Sequence, residues 1–201
     1  MYPDTDSPPQ RVTRERVESL REPLPEPPWV REERYAAAGV PRPVIHYLIR
    51  RGGARLVDAV VASGAADCRR ACFFFGERLK GLRRKGVSVD AVDADGWTDL
   101  FVLAEQTPVL WEAADELVRW MAENPDHSVA NYIEITGLGR EPETWRERVA
   151  RWADTRPDHP DGSDEQRVRF LLGVAMNELR GRVAVATVEA EVRGRLGAND
   201  D

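Results

Sequence analysis

Five cations crowd nine residues in the stretch ERLKGLRRK: Arg78, Lys80, Arg83, Arg84 and Lys85. A helix here turns Leu79 and Leu82 inward and the cations outward. Such a cluster suits a polyanion backbone, Arg offering planar forks and Lys point charges. A helix C-terminus also attracts cations through its dipole, so capping and phosphate contact both account for the cluster. A second basic feature is the turn Arg180-Gly181-Arg182. Phe170, Leu171, Val174, Met176 and Leu179 precede it, and Val185, Val188, Val192 and Leu196 follow at helical spacing. Two short amphipathic helices meeting at this elbow would present guanidinium groups to the same kind of ligand.

Other chemistry finds little support. His46, His127 and His159 are far apart, with no HExxH pattern and no Ser or Cys in a nucleophile setting. Cys68 and Cys72 lie four apart on a predicted helix, where a disulfide framework would join distant segments. They could form half of a metal site, but no nearby His or third Cys completes it, and they read as small core residues in a reducing compartment. Asp90, Asp93, Asp95 and Gly96 resemble a calcium loop only superficially: with Gly96 sixth, Ala91 and Val102 occupy the first and last ligand positions. Gly137-Leu138-Gly139 follows no strand and precedes no Lys-Ser or Lys-Thr. Trp111, Trp120, Trp145 and Trp152 recur among apolar neighbours and read as core rather than as base-stacking platforms. No catalytic residue, metal site or cofactor is expected.

Charge is unevenly spread over the 201 residues, whose net charge is −6. Residues 42–90 hold eleven Arg and Lys against four acids, whereas 91–165 hold eighteen acids against six Arg. One segment could face phosphates and its neighbour could not. Hydrophobic content of 42% supports real cores despite 32% charged residues. No apolar run reaches the roughly 20 residues of a membrane span, and the polar, acidic start is no signal peptide, so a cytoplasmic protein is expected.

The elements that must position these residues are helical. Residues 1–30 carry seven prolines and read as an arm, with one short helix between Val12 and Glu22 capped by Thr13 and an extended Pro23–Pro28 stretch. Helices are predicted over Pro41–Arg51, over Ala54–Ser63 and from a cap at Asp67 to Lys85, with stops at Gly52-Gly53 and Gly86. Val87–Asp90 reads as an extended connector. Asp95 is the expected cap of a helix to Gln106, Pro108 the start of one to Glu123, Ser128 the cap of one to Ile135, and Glu141–Asp154 a further helix. The pattern predicts an all-α fold: a small helical bundle, then a smaller helical tail, with a Pro-rich N-terminal arm. Expected divisions are 1–34, 35–125 and 126–201.

Three stretches resemble one family, in order. Met1–Pro9, MYPDTDSPP, resembles the segment closing the catalytic cradle of the tRNA-dependent amidotransferases, in their archaeal E-type and bacterial B-type subunits. GVPRPVIHYLIRRGGARLVD with GERLKGLRRKGVSVD is similar to their helical domain. Gly173, Met176, Glu178, Arg180, Gly181 and Arg182 resemble the tail shared with free-standing YqeY-type proteins. Asn177 stands where the family has Lys, and Val183–Ala186 lacks its acidic or Asn pattern, leaving two positions apolar or neutral. The resemblance implies a part in converting Glu-tRNA(Gln) to Gln-tRNA(Gln) with ATP and glutamine. The chain would be a C-terminal piece or stand-alone form without the catalytic domain. It would bind tRNA through Arg78, Lys80, Arg83, Arg84, Lys85, Arg180, Gly181 and Arg182. It would work beside a catalytic or glutaminase/asparaginase-like subunit. A protein-interaction module, docking through the acidic segment 91–165, or a free-standing YqeY-type protein is the alternative.

Overall fold

The computed structural model describes residues 11–21, 26–155 and 163–197, and among these all regular structure is helical, with no strand. The opening Met1–Pro9 motif and His159 lie outside the described residues. The helices are α1 (Arg14–Arg21), α2 (Pro28–Ala37), α3 (Arg42–Arg50), α4 (Ala54–Ala62), α5 (Cys68–Phe73), α6 (Leu79–Arg84), α7 (Ala94–Gln106), α8 (Ala114–Glu123), α9 (Val129–Thr136), α10 (Trp145–Thr155), α11 (Asp164–Leu179) and α12 (Val185–Gly197). The fold is all-α, as the sequence predicts.

Apolar side chains gather in two clusters. The larger runs from Tyr35 to Leu138, with Leu48, Val57, Phe101 and Leu117 at its centre, and includes Val129 of α9. The smaller joins Trp145 and Val149 of α10 to Leu171, Ala175 and Leu179 of α11 and Val188 and Val192 of α12. Phe170 and Val185, expected to point inward, are exposed, and Val168 and Ala175 are buried instead. The buried positions 168, 171, 175 and 179 follow the helical period, which Phe170 breaks.

Of the stretch expected to be extended, Pro23–Pro25 lie outside the described residues and Pro28 is helical. Pro27 is extended, but Pro28 begins α2, where its missing N–H costs nothing. Tyr35 buries its ring, and its hydroxyl lies 2.8 Å from Asp58 Oδ1. Arg31 and Arg34 donate to the same carboxylate at 2.8 and 2.7 Å, tying α2 to α4. Burial, then the Asp58 hydrogen bond, pushes the Tyr35 hydroxyl far above its ordinary range.

Other boundaries shift for local reasons. Asp93, not Asp95, caps α7: its extended backbone brings Oδ1 to 2.7 Å from the Gly96 amide. Of Val87–Asp90, expected to be extended, the second half enters a 3₁₀ turn over Val89–Ala91 that buries Val89. Pro108–Ala113 is also 3₁₀, and α8 starts only at Ala114. Residues 141–144 precede α10 rather than opening it. The predicted helix from Asp67 to Lys85 is continuous but widens into a π turn over Phe74–Arg78. That turn buries Phe74, Phe75 and Gly76 together. A regular helix would turn one of three successive residues outward.

Candidate nucleic-acid interface

The π turn decides where the basic cluster points. Arg78, at its end, donates Nε to Asp115 Oδ1 at 2.7 Å and Nη2 to the Trp111 carbonyl at 3.4 Å. This cation therefore holds α8 and the preceding 3₁₀ turn. Two turns later the helix ends at Gly86, whose φ of 83° suits a left-handed C-terminal residue. Val87 N donates to Leu82 O at 3.1 Å and Gly86 N to Arg83 O at 3.0 Å, closing a Schellman motif.

The last turn of α6 lies beside the end of α3, and the two form a groove lined by Tyr47, Arg51, Lys80, Arg83, Arg84 and Asp90. Arg83 donates to the Tyr47 hydroxyl at 3.1 Å and to the Asp90 carboxylate. The Asp90 hydrogen bond raises the Arg83 guanidinium above its ordinary value. Lys80 Nζ lies 5.2 Å from the centre of the Tyr47 ring, a cation–π distance. Arg84 and Lys85 are exposed, with no partner among the described residues. Four cations thus line a groove holding one carboxylate, already engaged by Arg83. Arg51 and Tyr47 were absent from the predicted set. They come from the end of α3 and its cap, some thirty residues earlier, and only the packing of α3 against the π turn that leads into α6 brings them in.

The Arg180-Gly181-Arg182 elbow is built differently. Arg182 Nη2 donates to the Thr136 carbonyl at 2.7 Å. Gly139 N donates to the Gly181 carbonyl at 2.6 Å, and Val185 N, opening α12, donates to Glu112 Oε1 at 2.9 Å. Gly181 has a φ of 71°, and a Cβ there would lie 2.5 Å from Ala113 Cβ. The elbow is therefore the joint between the two apolar clusters. Arg180 alone in it is exposed without a partner among the described residues. The groove beside it mixes Arg148, Arg180 and Arg182 with Glu116 and Glu178, and Glu178 pairs with Arg148.

The remaining candidates stay apart. His46 is exposed, 4.0 Å from Glu32, and His127 stands edge-on to Trp120. Trp97 and Trp145 are buried, while Trp29 is 64% exposed. Among the described residues no group of three or more His, Cys, Asp or Glu is placed to hold a metal ion, and no helix is long and apolar enough to cross a membrane.

Comparison with known proteins agrees with the resemblance in the sequence. No protein-family model matches, and no solved structure does. The chain is 34% identical over 190 residues to the E-type subunit of glutamyl-tRNA(Gln) amidotransferase from Aeropyrum pernix, covering 90% of this chain and 29% of that protein. It is 30% identical over 205 residues to the B-type subunit of aspartyl/glutamyl-tRNA(Asn/Gln) amidotransferase from Kineococcus radiotolerans, covering 98% of this chain and 40% of that protein. The E-type subunit of Thermococcus sibiricus is 26% identical over 202 residues, 98% of this chain and 31% of that one. The chain thus spans about a third of the length of these curated relatives. Matched along nearly its whole length, it is a homologue of a part of the E-type and B-type amidotransferase subunits.

Proposed function

We propose that this chain is a tRNA-binding helical and tail module of a tRNA-dependent amidotransferase, holding RNA for the Glu-tRNA(Gln) to Gln-tRNA(Gln) conversion in the cytoplasm while the chemistry occurs elsewhere. The observation that carries the reading is the α3–α6 groove, where Arg51, Lys80, Arg83 and Arg84 converge with Lys85 beside them. Arg84, Lys85 and Arg51 are exposed and supply phosphate contacts, and Arg83 and Lys80 set the walls. Arg180 adds a contact at the joint. Arg78, Gly181 and Arg182 act by holding the helices in place. The reading keeps an arm (1–34), a helical domain (35–125) and a YqeY-like tail (126–201), with α9 packed on the helical domain. The names of the relatives support the pathway and a multi-subunit setting.

Filter binding with folded tRNA tests it. Three or four phosphate contacts predict an affinity drop of roughly 100-fold between 50 and 200 mM salt. R51A/R84A/K85A should reduce affinity by at least ~10-fold and flatten the salt slope. Binding that is absent at low salt, or indifferent to salt, overturns the reading. Co-purification with another amidotransferase subunit that survives nuclease, together with no RNA affinity, would favour docking through 91–165 instead.

A further inference from the structure

The two cysteines form a unit outside that groove. Cys68 opens α5 and is half-buried; Cys72, one turn on, is fully buried. Their sulfurs face each other at 4.0 Å. A disulfide does not close across this spacing on an intact helix: side chains four apart hold their Cβ atoms about 5–6 Å apart, whereas a disulfide needs about 3.5–4.5 Å. A bridging atom removes that conflict. An ion about 2.3 Å from each sulfur sees them about 120° apart, the angle of trigonal coordination. Since the described residues offer no third donor to complete a four-ligand cage, the partner must accept a low coordination number. Soft thiolate pairs select soft cations.

We propose that Cys68 and Cys72 form a two-sulfur site for a soft monovalent cation of the Cu(I) class, with an exogenous thiol as third ligand. On binding, three S–H bonds break, those of Cys68, Cys72 and the exogenous thiol, three metal–sulfur bonds form and three protons pass to solvent, with no change of oxidation state. Burial, the largest influence, pushes both cysteine thiols above their ordinary range and so opposes ionisation, as do Asp58 at both and Asp67 at Cys68, while the Arg34 guanidinium of α2 favours the thiolates; the metal must displace both of their protons. Cys68, half-buried at the first helical position, is the sulfur an entering ion meets first, with Cys72 fully buried one turn on.

The test uses the reduced full chain under nitrogen with one equivalent of glutathione as the third ligand, titrated with Cu(I) held by the chromophoric chelator bicinchoninate, against a control of glutathione without the chain. One Cu(I) per chain should leave the chelator, and the loaded chain should melt at a higher temperature. Cys68→Ser, which alters only the half-buried member, should abolish the transfer while circular dichroism stays helical; Cys72→Ala should do the same. No transfer to the folded chain, or equal transfer to Cys68→Ser, overturns the site. Zn²⁺ displacing Cu(I) at equal concentration overturns the low-coordination assignment.

Discussion

Replacing Gly181 with Ala tests whether the Arg180–Arg182 elbow is a structural joint. The residue has a φ of 71°, and its Cβ would lie 2.5 Å from Ala113 Cβ and 3.0 Å from Leu138 Cδ2. Two costs combine. An L-residue in the left-handed region costs about 1–2 kcal/mol. Overpacking against Ala113, whose Cβ cannot rotate away, costs about 1–3 kcal/mol. G181A should therefore lose about 2–5 kcal/mol in urea unfolding. In a chain of this size that lowers the melting temperature by roughly 5–15 °C. Gly173 supplies the control: it lies within α11 with nothing within 4 Å of its Cβ. G173A should stabilise by about 0.5–1 kcal/mol, because Ala loses less backbone entropy in a helix. If G181A unfolds within about 0.5 kcal/mol of the parent, the joint does not carry the strain assigned to it.

Gly76→Ala should also destabilise, by about 1–3 kcal/mol, since its Cβ would lie 2.5 Å from Val44 Cγ1 where α3 crosses the π turn; chemical unfolding checks it. Arg78→Ala and Arg84→Ala should separate two roles of one basic stretch. The first removes the Asp115 pair, costing under about 1 kcal/mol at this partial exposure, and leaves RNA affinity nearly unchanged; the second does the reverse, read by melting and filter binding. Hydrogen bonds from Arg193 hold the exposed Glu165 carboxyl below its usual 4.5. Its contribution is thus present above the unfolded value and is lost as pH falls through the lower folded value. An NMR titration should show that depressed midpoint, and Arg193→Ala should restore the ordinary one.

Local signals carried the helical character of the chain. The Asp67 side chain accepts from Arg70 N and that of Ser128 from Ala130 N, as their cap positions predict. Thr13 Oγ1 accepts from Arg16 N at 3.3 Å. Gly52, Gly86 and Gly137 adopt positive φ where helices stop. These features were legible because caps and glycine stops act within about four residues. Asp95 misled because Asp93, two residues earlier, competes for the same role, and local chemistry alone cannot separate two such acids.

The sequence by itself determined an all-α chain, an uneven charge distribution and homology to amidotransferase subunits. Only tertiary packing decided which cations remain open. Arg78, Arg83 and Arg182 look no different from Arg84 and Arg180 in sequence, yet the first three are engaged by Asp115, Asp90 and the Thr136 carbonyl. Those partners come from other elements, in two cases 37 and 46 residues away. An arginine's role depends on which carboxylates and carbonyls the fold brings within about 3 Å, and chain order does not encode that proximity.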